Sequence, residues 1–202
     1  MTNRVQAHVE QLLSGPDLAP LVAAGHPVLR GVAAPYVGQL AAATLTELIA
    51  LMRRTMHAAP GVGLAAPQIG VPLAIAVLED PGAIDPDLAA TRERPPLAFR
   101  VLVNPVYEPV GTELVSFPEG CLSLAGRQAV VVRHRRVRLT GQDQCGGELD
   151  EIVSGWPARI VAHESDHLRG VLYLDRIEPG SLAAAERAGA TLDSFPLGDH
   201  DR

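Results

Sequence analysis

The chain has no lysine. All 17 of its basic residues are arginine, set against 23 acidic residues for a net charge of -6. An acidic surplus disfavours a nucleic-acid binder held by phosphate contacts. The missing lysine also excludes a phosphate-cradling GxxxxGK[ST] loop. Cysteine is scarce, with Cys121 and Cys145 alone. Two thiols make no disulfide framework, and the expectation is a chain with free thiols in a reducing cytoplasm. The opening MTNRVQAHVEQLL lacks the apolar centre of a signal peptide, and its acidic neighbours argue against a transit peptide. No stretch approaches the roughly 20 apolar residues of a membrane span. Abundant arginine and alanine with few asparagines suggest a GC-rich bacterial genome.

What is present suffices for one folded domain. The 202 residues are 47% hydrophobic and 20% charged, enough apolar surface to offset chain ordering. We expect one α+β domain over 1–202, with a core of about 20–178 and a tail from 179. Leu45, Leu48, Ile49, Met52 and Met56 recur at helical spacing within 44–58. LAIAVLE (73–79) reads as a buried strand. DPGAIDPDLAATRERPP (80–96) is proline-rich and charged and reads as an exposed insertion or loop. Strand patterns follow over 99–103, 106–115 and 129–140, and Gly146-Gly147 marks a hairpin turn into 148–153. Arg133, His134, Arg135, Arg136 and Arg138 read as the solvated face of a strand. Ser154 is placed to cap a helix over about 155–168, with Pro157 tolerated in its first turn. Residues 181–189 are compatible with a last short helix.

That helix carries the strongest chemical signal, His163-Glu164-Ser165-Asp166-His167. Residues i and i+4 share a helix face, so both imidazoles can reach one metal ion while Glu164 flanks its open side. With 7 histidines, a shuffled chain contains HExxH about once in 70 trials, so the motif alone is moderately specific. A catalytic ion usually takes three protein ligands. The extension HExxHxxGxxH fails, because Gly170 fits but Tyr173 stands where the third histidine belongs. Glu178 and Glu186 are conceivable third ligands. Cys121, in the irregular Glu119-Gly120-Cys121-Leu122-Ser123, is the better candidate, against the alternative of a small buried hydrophobe. Gly61-Val62-Gly63-Leu64-Ala65-Ala66-Pro67-Gln68-Ile69-Gly70 lets a backbone approach a ligand closely, or is simply a turn. His8, His26, His57, His134 and His200 lack ligand spacing, Cys145 reads as an exposed thiol, and Asp166 as a helix-surface ion-pair partner.

Taken together, GVGLAAPQIG, EGCLS and HESDHL, in that order, resemble the three signature motifs of peptide deformylases. The resemblance runs from GHPVLR (25–30) to about Asp175, and SGWPARI (154–160) is similar to the subgroup that includes mitochondrial-type members. It implies an α+β domain with antiparallel strands around a central HExxH helix, and an enzyme that removes the N-formyl group from the N-terminal methionine of new polypeptides and releases formate. It implies Cys121, His163 and His167 as ligands of one divalent ion, most often Fe(II), with Zn(II), Ni(II) or Co(II) as substitutes. Glu164 becomes the general acid/base, receiving a proton from the ion's water. Gln68 and the Leu122 N–H receive the developing oxyanion, and backbone around Gly63 pairs with an extended peptide. Val62, Phe117 and Trp156 are candidates for the methionine pocket, with ordinary core packing the alternative for the two aromatics. Implied partners are N-formylmethionyl nascent peptides and a transient ribosome contact. One departure stands out: Ala162 replaces the family's usual glutamine before His163, so a hydrogen bond supporting the ligands is expected to be missing. A hydrolase for another acyl-peptide and a low-activity peptide-binding paralogue are the competing readings.

Overall fold

The computed structural model describes residues 2–82 and 85–184. Among the described residues, four helices, α1 (Thr2–Leu13), α2 (Ala42–Ala58), α3 (Pro86–Arg92) and α4 (Gly155–Leu168), accompany eight strands. These are β1 (Gly63–Ala65), β2 (Ile75–Asp80), β3 (Leu97–Pro109), β4 (Leu114–Gly120), β5 (Arg127–His134), β6 (Arg136–Gln142), β7 (Glu148–Ser154) and β8 (Ala183–Ala184). The strands form an antiparallel five-stranded sheet, β1-β2-β3-β6-β7, and a three-stranded sheet, β4-β5-β8. No described helix is long and apolar enough to cross a membrane.

The period-two alternation of β2 divides the core. Ile75 and Val77 pack with Leu48, Met52 and Met56 of α2, whereas Ala76 and Leu78 pack with Trp156, Ile160 and Val161 of α4. On its other side α4 reaches the small sheet, where Arg159 Nη1 donates to the Val131 carbonyl at 3.0 Å. The HExxH helix therefore lies between two antiparallel sheets, as the resemblance implies.

Four local expectations need correction. First, ordered structure begins before residue 20: Val5, Val9 and Leu12 recur at helical spacing in α1, and Val9 is fully buried against the α2 cluster. Second, 80–96 is not all loop. Asp85 caps α3 by accepting from the N–H groups of Asp87 (2.8 Å) and Leu88 (3.1 Å), and Pro86 occupies the first helical position. Third, Arg133 is buried, although Arg136 and Arg138 are exposed as expected. On β5 it shares the inward parity of Ala129 and Val131. Fourth, Ala183–Ala184 pair with Gln128 and Arg127 as a short strand rather than opening a helix. Residues 185–189 and the tail beyond lie outside the described residues.

The start of α4 also differs from expectation. Ser154 stands at the N-cap but its side chain makes no capping hydrogen bond. Instead, Gly155 N–H donates to Arg135 (2.9 Å) and Trp156 N–H to the Glu93 carbonyl (3.0 Å). Orphan donors of the helix end are thus satisfied by β5–β6 and by the residue closing α3.

Candidate active site

Two stripes of side chains meet between β4 and α4. Residues 117, 119 and 121 alternate along the strand, and 156, 159, 163 and 167 recur along one helix face. The Phe117 and Trp156 rings stand edge to face at 6.1 Å. Glu119 accepts from Arg159 Nη1 at 2.6 Å and faces His163 Nδ1 at 3.0 Å. Cys121 Sγ lies 3.2 Å from His167 Nε2. The far end of this ladder is the metal candidate: ligand atoms of Cys121, His163 and His167 all lie within 4.8 Å of one another.

These residues fit a divalent ion. A thiolate and two imidazoles around one tetrahedral centre require mutual separations of about 3–4 Å. With Nδ1 of His163 engaged by Glu119, its Nε2 is left for the ion, in the carboxylate–histidine arrangement that fixes ring orientation and tautomer. Burial drives the His167 imidazole well below its usual pKa and keeps it neutral, the form a ligand needs. Burial also opposes charge on His163, but its hydrogen bonds with Cys121 and Glu119 and the nearby Glu164 prevail and raise its pKa. That surrounding favours positive charge at the ring.

Glu164 is buried, and desolvation pushes its carboxyl up to about 7. A carboxyl poised there can accept and return a proton near neutral pH. Its space comes from Gly63. A Cβ at Gly63 would lie 2.6 Å from Glu164 Cδ and 2.7 Å from Cγ, and closer still to Oε1. Gly61 does the same for the next motif, since a Cβ there would meet Leu122 Cδ1 at 2.8 Å. Gln68 completes the interlock. Its Oε1 accepts from Ala65 N–H at 2.8 Å, so its amide NH₂ faces Cys121 Sγ (3.5 Å) and Ser123 Oγ (3.4 Å). Cys121 is extended and Leu122 opens a 3-10 turn, whose first N–H has no acceptor within the turn. All seven residues expected to form the site are thereby brought together.

Glu119, Arg133 and Asp166 complete the support. Arg133 donates to Glu119 through Nε (2.5 Å) and Nη2 (2.9 Å), and to Asp166 through Nη1 (2.9 Å). Asp166 also accepts from the Tyr107 hydroxyl at 2.9 Å and pairs with Arg176 at 2.8 Å. It is an ion-pair partner as expected, but inside the protein rather than on the helix surface. Despite its burial, Glu119 is held well below the usual carboxylate range by Arg133, His163 and Arg159. Ala162 is buried and its methyl offers no hydrogen bond, whereas His163 Nδ1 is supported by Glu119. No sequence reading singled out Glu119, although it lies two residues before Cys121. Of the other third-ligand candidates, Glu178 accepts from Ser116 at 3.1 Å, and Glu186 lies outside the described residues. Cys145 is exposed and unpaired with Cys121.

A Cys-His-His centre with a buried glutamate beside it, on a helix clasped by antiparallel sheets, defines a metal-dependent hydrolase. The family profile for polypeptide deformylase matches residues 18–182. The chain is 56% identical over 176 residues to peptide deformylase 1 of Streptomyces coelicolor, covering 87% of this chain and 81% of that relative. It is 41% identical over 179 residues to the human mitochondrial peptide deformylase, covering 85% and 74%. The crystal structure of a class I type b peptide deformylase from Acinetobacter baumannii bound to Met-Ala-Ser superposes with a TM-score of 0.71 at 31% identity, covering 79% of this chain and 98% of that one. The chain belongs to the polypeptide deformylase family.

Proposed function

We propose that the residues assembled here deformylate N-formylmethionyl peptides as follows, a reading carried by the meeting of Glu164 and Gln68 at the Cys121–His163–His167 cluster. Those three residues would hold one divalent ion, which supplies Lewis acidity and a readily deprotonated water. Glu164, desolvated and confined by Gly63, accepts the proton of the attacking water and returns it to the departing amine. Charge developing on the formyl oxygen is met by the Gln68 amide and the Leu122 N–H; one such donor is typically worth about 3–4 kcal/mol in the transition state. The outer edge of β1, whose only strand partner among the described residues is β2, offers backbone groups at Gly63 to an extended peptide. Formate and a free methionyl N-terminus result.

The family resemblance implies Fe(II), with Zn(II), Ni(II) or Co(II) as substitutes, and a mixed thiolate–imidazole donor set can take any of these. The substrates are nascent chains met in a bacterial cytoplasm, with transient ribosome contact. The decisive experiment is formate release from formyl-Met-Ala-Ser by protein purified anaerobically and loaded with Fe(II) or Ni(II). An acetylated peptide and Glu164→Ala serve as controls. Turnover of the formyl peptide alone, abolished in Glu164→Ala, is the expected result. No turnover with about one metal per chain would overturn the assignment.

A further inference from the structure

Segment 80–96 contributes nothing to the three motifs, yet it is built into the wall of a cavity beside them. That cavity, about 30 Å³, is lined by Thr91, Arg92, Phe117, Trp156 and Arg159 among others. Arg92 is 1% exposed, and its guanidinium lies 5.0 Å from the Trp156 ring centre and 5.9 Å from that of Phe117. Arg94, paired with Asp80 at 2.9 Å, approaches Trp156 to 5.3 Å. Glu93 accepts from Trp156 N–H and pairs with Arg135. The fit is close enough to require glycine at 155, where φ is +66° and a Cβ would meet the Glu93 carbonyl at 2.6 Å.

We propose that Arg92 closes the far end of the pocket receiving the substrate's N-terminal side chain, and that its length sets the longest side chain accepted. This rests on the deformylase reading of the site and adds a specificity determinant from outside the motifs. Trp156 precedes His163 by two helical turns, about 10 Å along the axis. Phe117 precedes Cys121 by about 13 Å of strand. From a formyl carbon held at the cluster, an extended methionine side chain reaches its terminal methyl in about 8 Å. The methyl and sulfur therefore extend from the cluster toward the Phe117–Trp156 pair, and Arg92 lines the cavity at that pair. The buried Trp156 Nε1–H has no hydrogen-bond partner among the described residues, and a thioether sulfur is a weak acceptor. Unbranched, polarisable methionine fits this end, whereas an aromatic side chain meets the guanidinium.

The test compares kcat/KM for formyl-Met-Ala-Ser and formyl-Phe-Ala-Ser in the wild type, Arg92→Ala and Arg92→Met. Shortening Arg92 is expected to raise the Phe/Met ratio about tenfold. Arg92→Met, which keeps a long side chain, is expected to hold the ratio near wild type and so separates pocket length from general destabilisation. A ratio within twofold of wild type in Arg92→Ala overturns the proposal. Calorimetric titration with Met-Ala-Ser and Phe-Ala-Ser reads the same discrimination without turnover. If the wild type releases no formate, the deformylase reading fails while the titration still decides the role of Arg92 by the same criterion.

Discussion

Replacing Gly63 with alanine tests the mutual fit of two motifs 101 positions apart in sequence. The added methyl would sit 2.6 Å from Glu164 Cδ, where ordinary contact begins at 3.4 Å. Gly63 is not among the residues with positive φ, so the backbone itself admits alanine. The carboxylate must therefore yield by about 1 Å, and a displacement of that size at a reacting group costs on the order of 100-fold in rate. Formate release by Gly63→Ala should fall about 100-fold in kcat. Bound metal should stay near wild type, because the three atoms nearest the new methyl all belong to Glu164 and none to Cys121, His163 or His167. The double variant Gly63→Ala/Glu164→Asp sharpens the argument. Shortening the acid makes room for the methyl, so the two losses should be less than additive in a double-mutant cycle. Gly63→Ala retaining more than half of kcat, or strictly additive losses, would refute the packing explanation.

Three further outcomes are expected. Arg133→Met leaves Glu119 and Asp166 buried with only their remaining partners, Arg159 and His163 for one and Arg176 and Tyr107 for the other. The loss should be about 3 kcal/mol, or roughly 10 °C in Tm by calorimetry, and a drop under about 3 °C would contradict it. Glu119→Gln weakens the support of His163 Nδ1, and chelator competition should show metal affinity falling about 10- to 100-fold, with unchanged affinity the refuting result. Glu79 has its pKa lowered in the fold by hydrogen bonds from Arg53 first and His57 as well. Its contribution is thus full above the unfolded value of 4.5 and fades as pH falls through the lower folded value. Partly exposed as it is, the group should account for under about 1 kcal/mol of acid-dependent stability, which urea melts of Glu79→Gln should lack.

Periodicity located α2, an apolar run located β2, and the start signals Ser154 and Pro157 located the helix bearing His163 and His167. Motif resemblance singled out the seven candidate site residues, which lie on segments that no local pattern would bring together. The misreadings share a physical cause. Composition outweighed position at α3, where proline suggested a loop although Asp85-Pro86 is a helix start. The same happened at Arg133, where charge suggested solvent although strand parity aligned it with Val131. A buried arginine is legible only once both its carboxylates are known, and Glu119 and Asp166 come from β4 and α4. Arg92 escaped for the same reason, since its neighbours Phe117 and Trp156 belong to distant segments. The helix α1 has a readable stripe but lies before residue 18, where the family match begins.

The interlock of the three motifs also fixes when activity can arise as the chain folds. Gln68 and Cys121 are separated by 53 positions and Cys121 and His167 by 46. Each contact closes a long loop, with an entropic cost met only when the intervening strands have paired. No early local intermediate can therefore hold more of the centre than His163, Glu164 and His167, which share α4. Recovery of formate release after dilution from denaturant should be a late, cooperative event. The chain's single tryptophan sits where α4 meets β4 and the segment closing α3, so its fluorescence provides a clock for that event without any added label.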